Sequence, residues 1–140
     1  MPQTQNATPD LVADIGGTNA RFALVDATGR LHAEQTLPCA DFPGPSAAIT
    51  AYLRQTAAPQ PQRAALAVAT PISGDWIAFT NNAWSFSTEA VRQELGLEQL
   101  AIVNDFTALA LALPLLAPNE RQAIGRGTAM ADAPIGLIGP

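Results

Sequence analysis

Asp14-Ile15-Gly16-Gly17-Thr18-Asn19-Ala20-Arg21 sets an acid, two glycines and a hydroxyl at the exit of an apolar run. Leu11, Val12 and Ile15 read as a buried strand, and Gly16-Gly17 as a tight turn whose backbone N–H groups can approach an anion closely. Arg21 to Asp26 (RFALVD) then rises as a second β-like run, so no helix follows the glycines. A dinucleotide fingerprint needs a third glycine and a helix, and a P-loop needs a lysine; the chain contains no lysine. What remains is a strand, a Gly-Gly-Thr turn and a strand, with an acid just before the turn. A Gly-Gly turn in a hairpin also forms for reasons of geometry alone.

Outward from this unit, Leu31 to Leu37 makes a third β-like run, joined to the second by Ala27-Thr28-Gly29, which gives a β-meander. Pro43 to Thr56 carries Ala48, Ile49, Tyr52 and Leu53 at helical spacing, and Pro59 and Pro61 end it. Ala64 to Ala69 reads as a buried parallel strand. Trp76 to Phe79 is a short strand, and Ser87 is placed to cap a helix running to Leu95, stopped by Gly96. Leu100 to Val103 is the fifth main strand and ends in Asn104-Asp105; from Phe106 a helix runs toward Leu113, broken by Pro114. Ala117 to Ala133 is polar and irregular, and Pro134 to Ile138 is expected to start a new strand. The expected fold is α/β, a five-stranded mixed sheet (β-meander, then βαβ) with helices on its faces. Asp14 to Asn19 and Asn104-Asp105 both follow strand C-termini, the sheet edge where ligands bind in such folds.

The 140 residues suit one core. Hydrophobic residues make up 48% and charged residues 14%, the composition of an ordered globular unit. A net charge of -5 with no basic run argues against a nucleic-acid or anionic-membrane surface, so an anionic ligand must be held locally. The single Cys39 has no disulfide partner and no zinc cluster around it, and the N-terminal MPQTQNATPD lacks the blocks of a signal peptide; a cytoplasmic location is expected. Residues 1–10 read as a flexible tail.

Three segments, Ala13 to Asp26 (ADIGGTNARFALVD), Pro71 to Ser87 (PISGDWIAFTNNAWSFS) and Ile102 to Leu116 (IVNDFTALALALPLL), resemble the N-terminal half of bacterial glucokinases, in the same order and spacing. The resemblance runs from Leu11 onward and implies an RNase H-like, actin-like ATPase domain of the sugar kinase, Hsp70 and actin superfamily. It implies transfer of the γ-phosphoryl group of ATP to the 6-hydroxyl of glucose, with Mg²⁺ accompanying the ATP; a homodimer or a tendency to aggregate is expected of the isolated chain, because the half it lacks would cover part of its apolar surface. On the family's pattern Ala13, Asp14, Ile15, Gly16, Gly17, Thr18 and Asn19 form the nucleotide-binding loop, with Asp14 meeting Mg²⁺ through water. Asp105 is the implied base, Asn104 holds a sugar hydroxyl, and Asn81 lies on the segment lining the sugar cleft. Residues 11–133 then form the N-terminal domain and 134–140 the start of the next. Family members continue into a C-terminal half with a second phosphate loop and further sugar ligands, so little kinase activity is expected of this chain alone.

The same residues have structural readings. Asp105 suits a helix N-cap, Asp14 could bond the turn amides or pair with Arg21, and Asn81-Asn82 suit a turn. Trp76 and Trp84 are expected in packing, His32 at the surface and Cys39 as inert filling.

Overall fold

The computed structural model describes residues 8–139. The expected tail lies outside the described residues over 1–7, and Asp10 already opens the first strand. The chain divides into two compact units, the first closing at Asp105 and the second running from Phe106 onward.

In the first unit, β1 (Asp10–Ile15), β2 (Asn19–Val25) and β3 (Leu31–Pro38) form an antiparallel meander. Helix α1 (Pro45–Gln55) leads into β4 (Arg63–Val68), which pairs with β1 in parallel. A two-stranded hairpin of β5 (Trp76–Ala78) and β6 (Ser85–Ser87) and helix α2 (Thr88–Glu94) lead to β7 (Gln99–Asn104), parallel to β4. The sheet order is β3-β2-β1-β4-β7. This is the mixed five-stranded sheet expected, with each strand displaced from its expected bounds by only one or two residues.

Period-2 alternation decides which side chains fill the core. Leu11, Ala13 and Ile15 of β1, Ala20, Phe22 and Leu24 of β2, and Ala64, Leu66 and Val68 of β4 are all buried, and α1 contributes Ala48, Ile49, Tyr52 and Leu53 to the same cluster. The Tyr52 ring stacks on Phe22 with centroids 5.2 Å apart. Its hydroxyl donates to the carbonyl of Ala33 at 2.9 Å. Ala33 sits in a bulge, where the pairing jumps from Phe22↔Gln35 to Leu24↔His32, and its φ of 55° is the left-handed conformation that re-aims this carbonyl. Burial with no charged partner raises the pKa of that hydroxyl.

Ser87 caps α2 as expected, its hydroxyl accepting from the Ala90 N–H at 3.1 Å, a contact typically worth about 1 kcal/mol. Within the first turn, Glu89 accepts two bonds from Arg92 and one from Gln93, which lower its carboxyl pKa to about 2.

Three expectations need correction. Trp76 is 62% exposed, because the alternation of β5 turns Ile77 inward against Phe86 and leaves Trp76 on the outer face; Trp84 is buried as expected. Strand β6 was unforeseen, since Ser85-Phe86-Ser87 is too short and polar to signal a strand without its partner. Pro134 to Ile138 forms no strand: it pairs with no strand among the described residues, and an apolar run without a ladder partner stays irregular.

The second unit holds α3 (Asp105–Ala112) from Phe106, two short 3₁₀ turns and irregular chain. Leu111 and Leu115 are 67% and 83% exposed. No helix among the described residues is long and apolar enough to cross a membrane.

Candidate active site

The turn between β1 and β2 is tight because it closes on itself: Gly16 N–H donates to the Asn19 carbonyl at 2.9 Å. Asn19 is already the first residue of β2, so the turn proper is Gly16-Gly17-Thr18. Its carbonyls are tied down from behind. The Thr18 carbonyl accepts the Cys39 N–H at 2.8 Å, and the Gly16 carbonyl accepts Nδ2 of Asn82 at 3.1 Å, with the Cys39 thiol at 3.7 Å. Gly17 meets the chain at Asn81 so closely that an added Cβ would fall 2.8 Å from Asn81 Cβ and 3.1 Å from its carbonyl oxygen. Neither glycine of the turn has a positive φ, so Gly17 is required for room rather than for conformation.

Residues Gly17, Thr18, Asn81, Asn82 and Trp84 line one concavity of about 300 Å³. Its floor is rigid. Trp84 donates its N–H to Asn82 Oδ1 at 2.7 Å and its indole N–H to the Phe42 carbonyl at 2.9 Å, and its ring meets Phe79 edge-on.

Asn104 and Asp105 stand at the same end of the sheet. Parallel pairing aligns Ile15 with Val68 and Val68 with Asn104, so the glycine turn and the Asn-Asp pair leave the sheet on one edge. Two strand spacings, roughly 10 Å, separate their strands. The Asn104 amide donates to the carbonyls of Thr70 at 3.2 Å and Val68 at 3.5 Å, which fixes the side chain at the end of β4. Thr70 is itself buried and donates to the Ala78 carbonyl at 3.0 Å.

Asp14 lies apart from the concavity. Its side chain is on the sheet face opposite the α1 core, half exposed and 3.8 Å from Arg21, its antiparallel neighbour. An exposed pair at that distance contributes little to stability, about 0–1 kcal/mol. It lines a separate concavity of about 410 Å³ with Val12, Arg21 and Gln35. Ala13 and Ile15, flanking it, are buried core residues. Among the described residues no three His, Cys, Asp or Glu side chains cluster to cage a metal. The lone Asp14 carboxylate still suits Mg²⁺, which keeps most of its waters and arrives on substrate phosphates.

The sequence points to Asn81 as the cleft residue and to Asn81-Asn82 together as suited to a turn. Asn82 is the residue bonded to the glycine turn, across 66 positions of chain, and no local pattern announces such a contact. His32 is exposed. Cys39 is buried, its thiol pushed up by desolvation, which keeps it unreactive and makes it a support for the turn.

A meander continued by parallel strands, with a Gly-Gly-Thr turn and an Asn-Asp pair at one sheet edge, defines the actin-like fold of sugar kinases. The glucokinase family profile matches residues 11–140, and the chain belongs to the glucokinase family. The bifunctional protein glk of Paraburkholderia xenovorans is 49% identical over 132 residues, covering 94% of this chain and 21% of that protein. A glucokinase of Neisseria meningitidis is 45% identical over 139 residues, 99% of this chain and 42% of the relative. The crystal structure of a glucokinase from an Antarctic psychrotroph superposes with a TM-score of 0.77 at 42% identity, over 89% of this chain and 40% of that one. The chain therefore spans less than half the length of these relatives.

Proposed function

We propose that this chain supplies the first phosphate loop and the catalytic base of an enzyme that phosphorylates glucose at O6 with ATP. The observation that carries the reading is the register Ile15-Val68-Asn104, which sets the glycine turn and Asn104-Asp105 on one sheet edge. Phosphoryl transfer asks the protein chiefly for alignment and charge stabilisation. In this scheme the turn Gly16 to Asn19 approaches the β- and γ-phosphates, the Gly16 N–H staying on the Asn19 carbonyl, while Asn81 and Asn104 hold sugar hydroxyls and Asp105 accepts the O6 proton. The O6–phosphorus bond forms as the bond from the γ-phosphorus to the bridging oxygen breaks, and ADP leaves with that electron pair. When bound, Mg²⁺ neutralises phosphate charge; Asp14 would meet it through water.

The test is glucose-dependent ADP formation by the completed enzyme, this chain joined to the remaining length of the family. ADP is expected only when glucose is present; hydrolysis of ATP at the same rate without sugar would sink the reading. A cytoplasmic homodimer is part of the same proposal, supported by exposed Leu111 and Leu115. Light scattering on the chain should give twice its 14.6 kDa mass, and a monodisperse monomer would refute that part.

A further inference from the structure

The peptide joining Gly16 to Gly17 is trans, as are all those described, so its C=O and N–H point in opposite directions. Its carbonyl is held by Nδ2 of Asn82 at 3.1 Å, with the Cys39 thiol beside it at 3.7 Å. Anchoring that oxygen turns the Gly17 N–H away from Asn82 and Cys39, and no backbone acceptor meets it among the described residues. Asn82 cannot easily reverse its own amide. Its Oδ1 accepts the Trp84 N–H at 2.7 Å, and Trp84 is buried and bonded in turn to Phe42. The chain Phe42-Trp84-Asn82-Gly16 thus selects one orientation of a peptide that, between two glycines, has unusual freedom to flip.

We propose that Asn82 is a positioning residue for nucleotide binding: it holds the Gly16–Gly17 peptide with the Gly17 N–H directed at the phosphate of ATP. The inference rests on the glycine turn being the phosphate loop. In a chain of net charge -5 without lysine, an oriented amide is one of few means of gripping an anion, and its value depends on being set before the phosphate arrives.

Asn82→Ser separates this role from turn formation. A serine hydroxyl still accepts an N–H two residues on, preserving the bond to Trp84, but is too short to reach the Gly16 carbonyl. In the completed enzyme Asn82→Ser is expected to raise KM for ATP about 10-fold, and the calorimetric Kd for ATP without glucose by the same factor, while KM for glucose stays within about twofold. Asn82→Ala, which loses both bonds, should also lower Tm. Unchanged ATP affinity in Asn82→Ser with impairment only in Asn82→Ala would overturn the proposal in favour of a purely structural turn, as would equal rises in both KM values. Failure of the unsubstituted enzyme to form ADP with glucose while still binding ATP would instead strike at the functional reading.

Discussion

Asp105→Asn is expected to lower kcat for glucose phosphorylation by about 10²–10⁴-fold, the usual contribution of a positioned general base. The substitution is nearly isosteric, and it discriminates between two roles that the residue type allows. Asp105 is the first residue of α3, where Asn keeps the shape of the side chain and loses only the small dipole contribution of its charge. If Asp105 acts only at the helix start, Asn should leave both turnover and Tm unchanged. If it takes the O6 proton, Asn cannot accept it, and kcat falls while Tm and KM for glucose hold. The two readings therefore part on kcat alone. Full activity in Asp105→Asn would refute the base assignment.

The elements around this residue were legible because their signals are local. Ser87 and Glu89 announce the start of α2, Pro59 and Pro61 the end of α1, and the all-apolar AALAVA a strand, although it is buried on one face only: Ala64, Leu66 and Val68 are buried and Ala65 is exposed. Strand direction followed from the same information, since strands linked through helices pair in parallel and the meander pairs antiparallel, whereas the order β3-β2-β1-β4-β7 came only with the structure. The loops at Gly16 and Asn104 both follow strand C-termini and so fall on one edge from strand direction alone. What stayed hidden depends on contacts distant in sequence. Trp76 is as apolar as Trp84, and only the pairing of β5 with β6 determines which of them is buried. Asn81 and Asn82 look alike as turn formers, yet one packs on Gly17 and the other bonds Gly16. Pro134 to Ile138 has the composition of a strand, but a strand is a relation between segments, and composition cannot supply the partner.

The two glycines of the turn should respond very differently to alanine, although the motif presents them as equals. At Gly16 an added Cβ would sit 3.6 Å from the Asn19 carbonyl oxygen, an ordinary contact, and the residue has no positive φ to forbid a side chain. At Gly17 it would sit 2.8 Å from Asn81 Cβ and 3.1 Å from Asn81 O. Those atoms belong to the stem and main chain of Asn81, so relief requires moving the loop rather than a side-chain tip. Overpacking of this kind typically costs about 1–3 kcal/mol. The displaced segment also carries Asn82, whose bond to the Gly16 carbonyl would lengthen as the loop retreats. Gly17→Ala is therefore expected to lose about 1–3 kcal/mol in denaturant unfolding and about 10²-fold in kcat/KM for ATP, and Gly16→Ala under about 1 kcal/mol. Equal losses at both positions would mean that the turn needs backbone freedom throughout, and no loss at Gly17 would mean that the Asn81 loop yields freely. Either result would remove the steric link between the Asn81–Asn82 segment and the glycine turn. With the expected asymmetry, the room at Gly17 is what lets the Asn81–Asn82 segment lie against the turn and hold it.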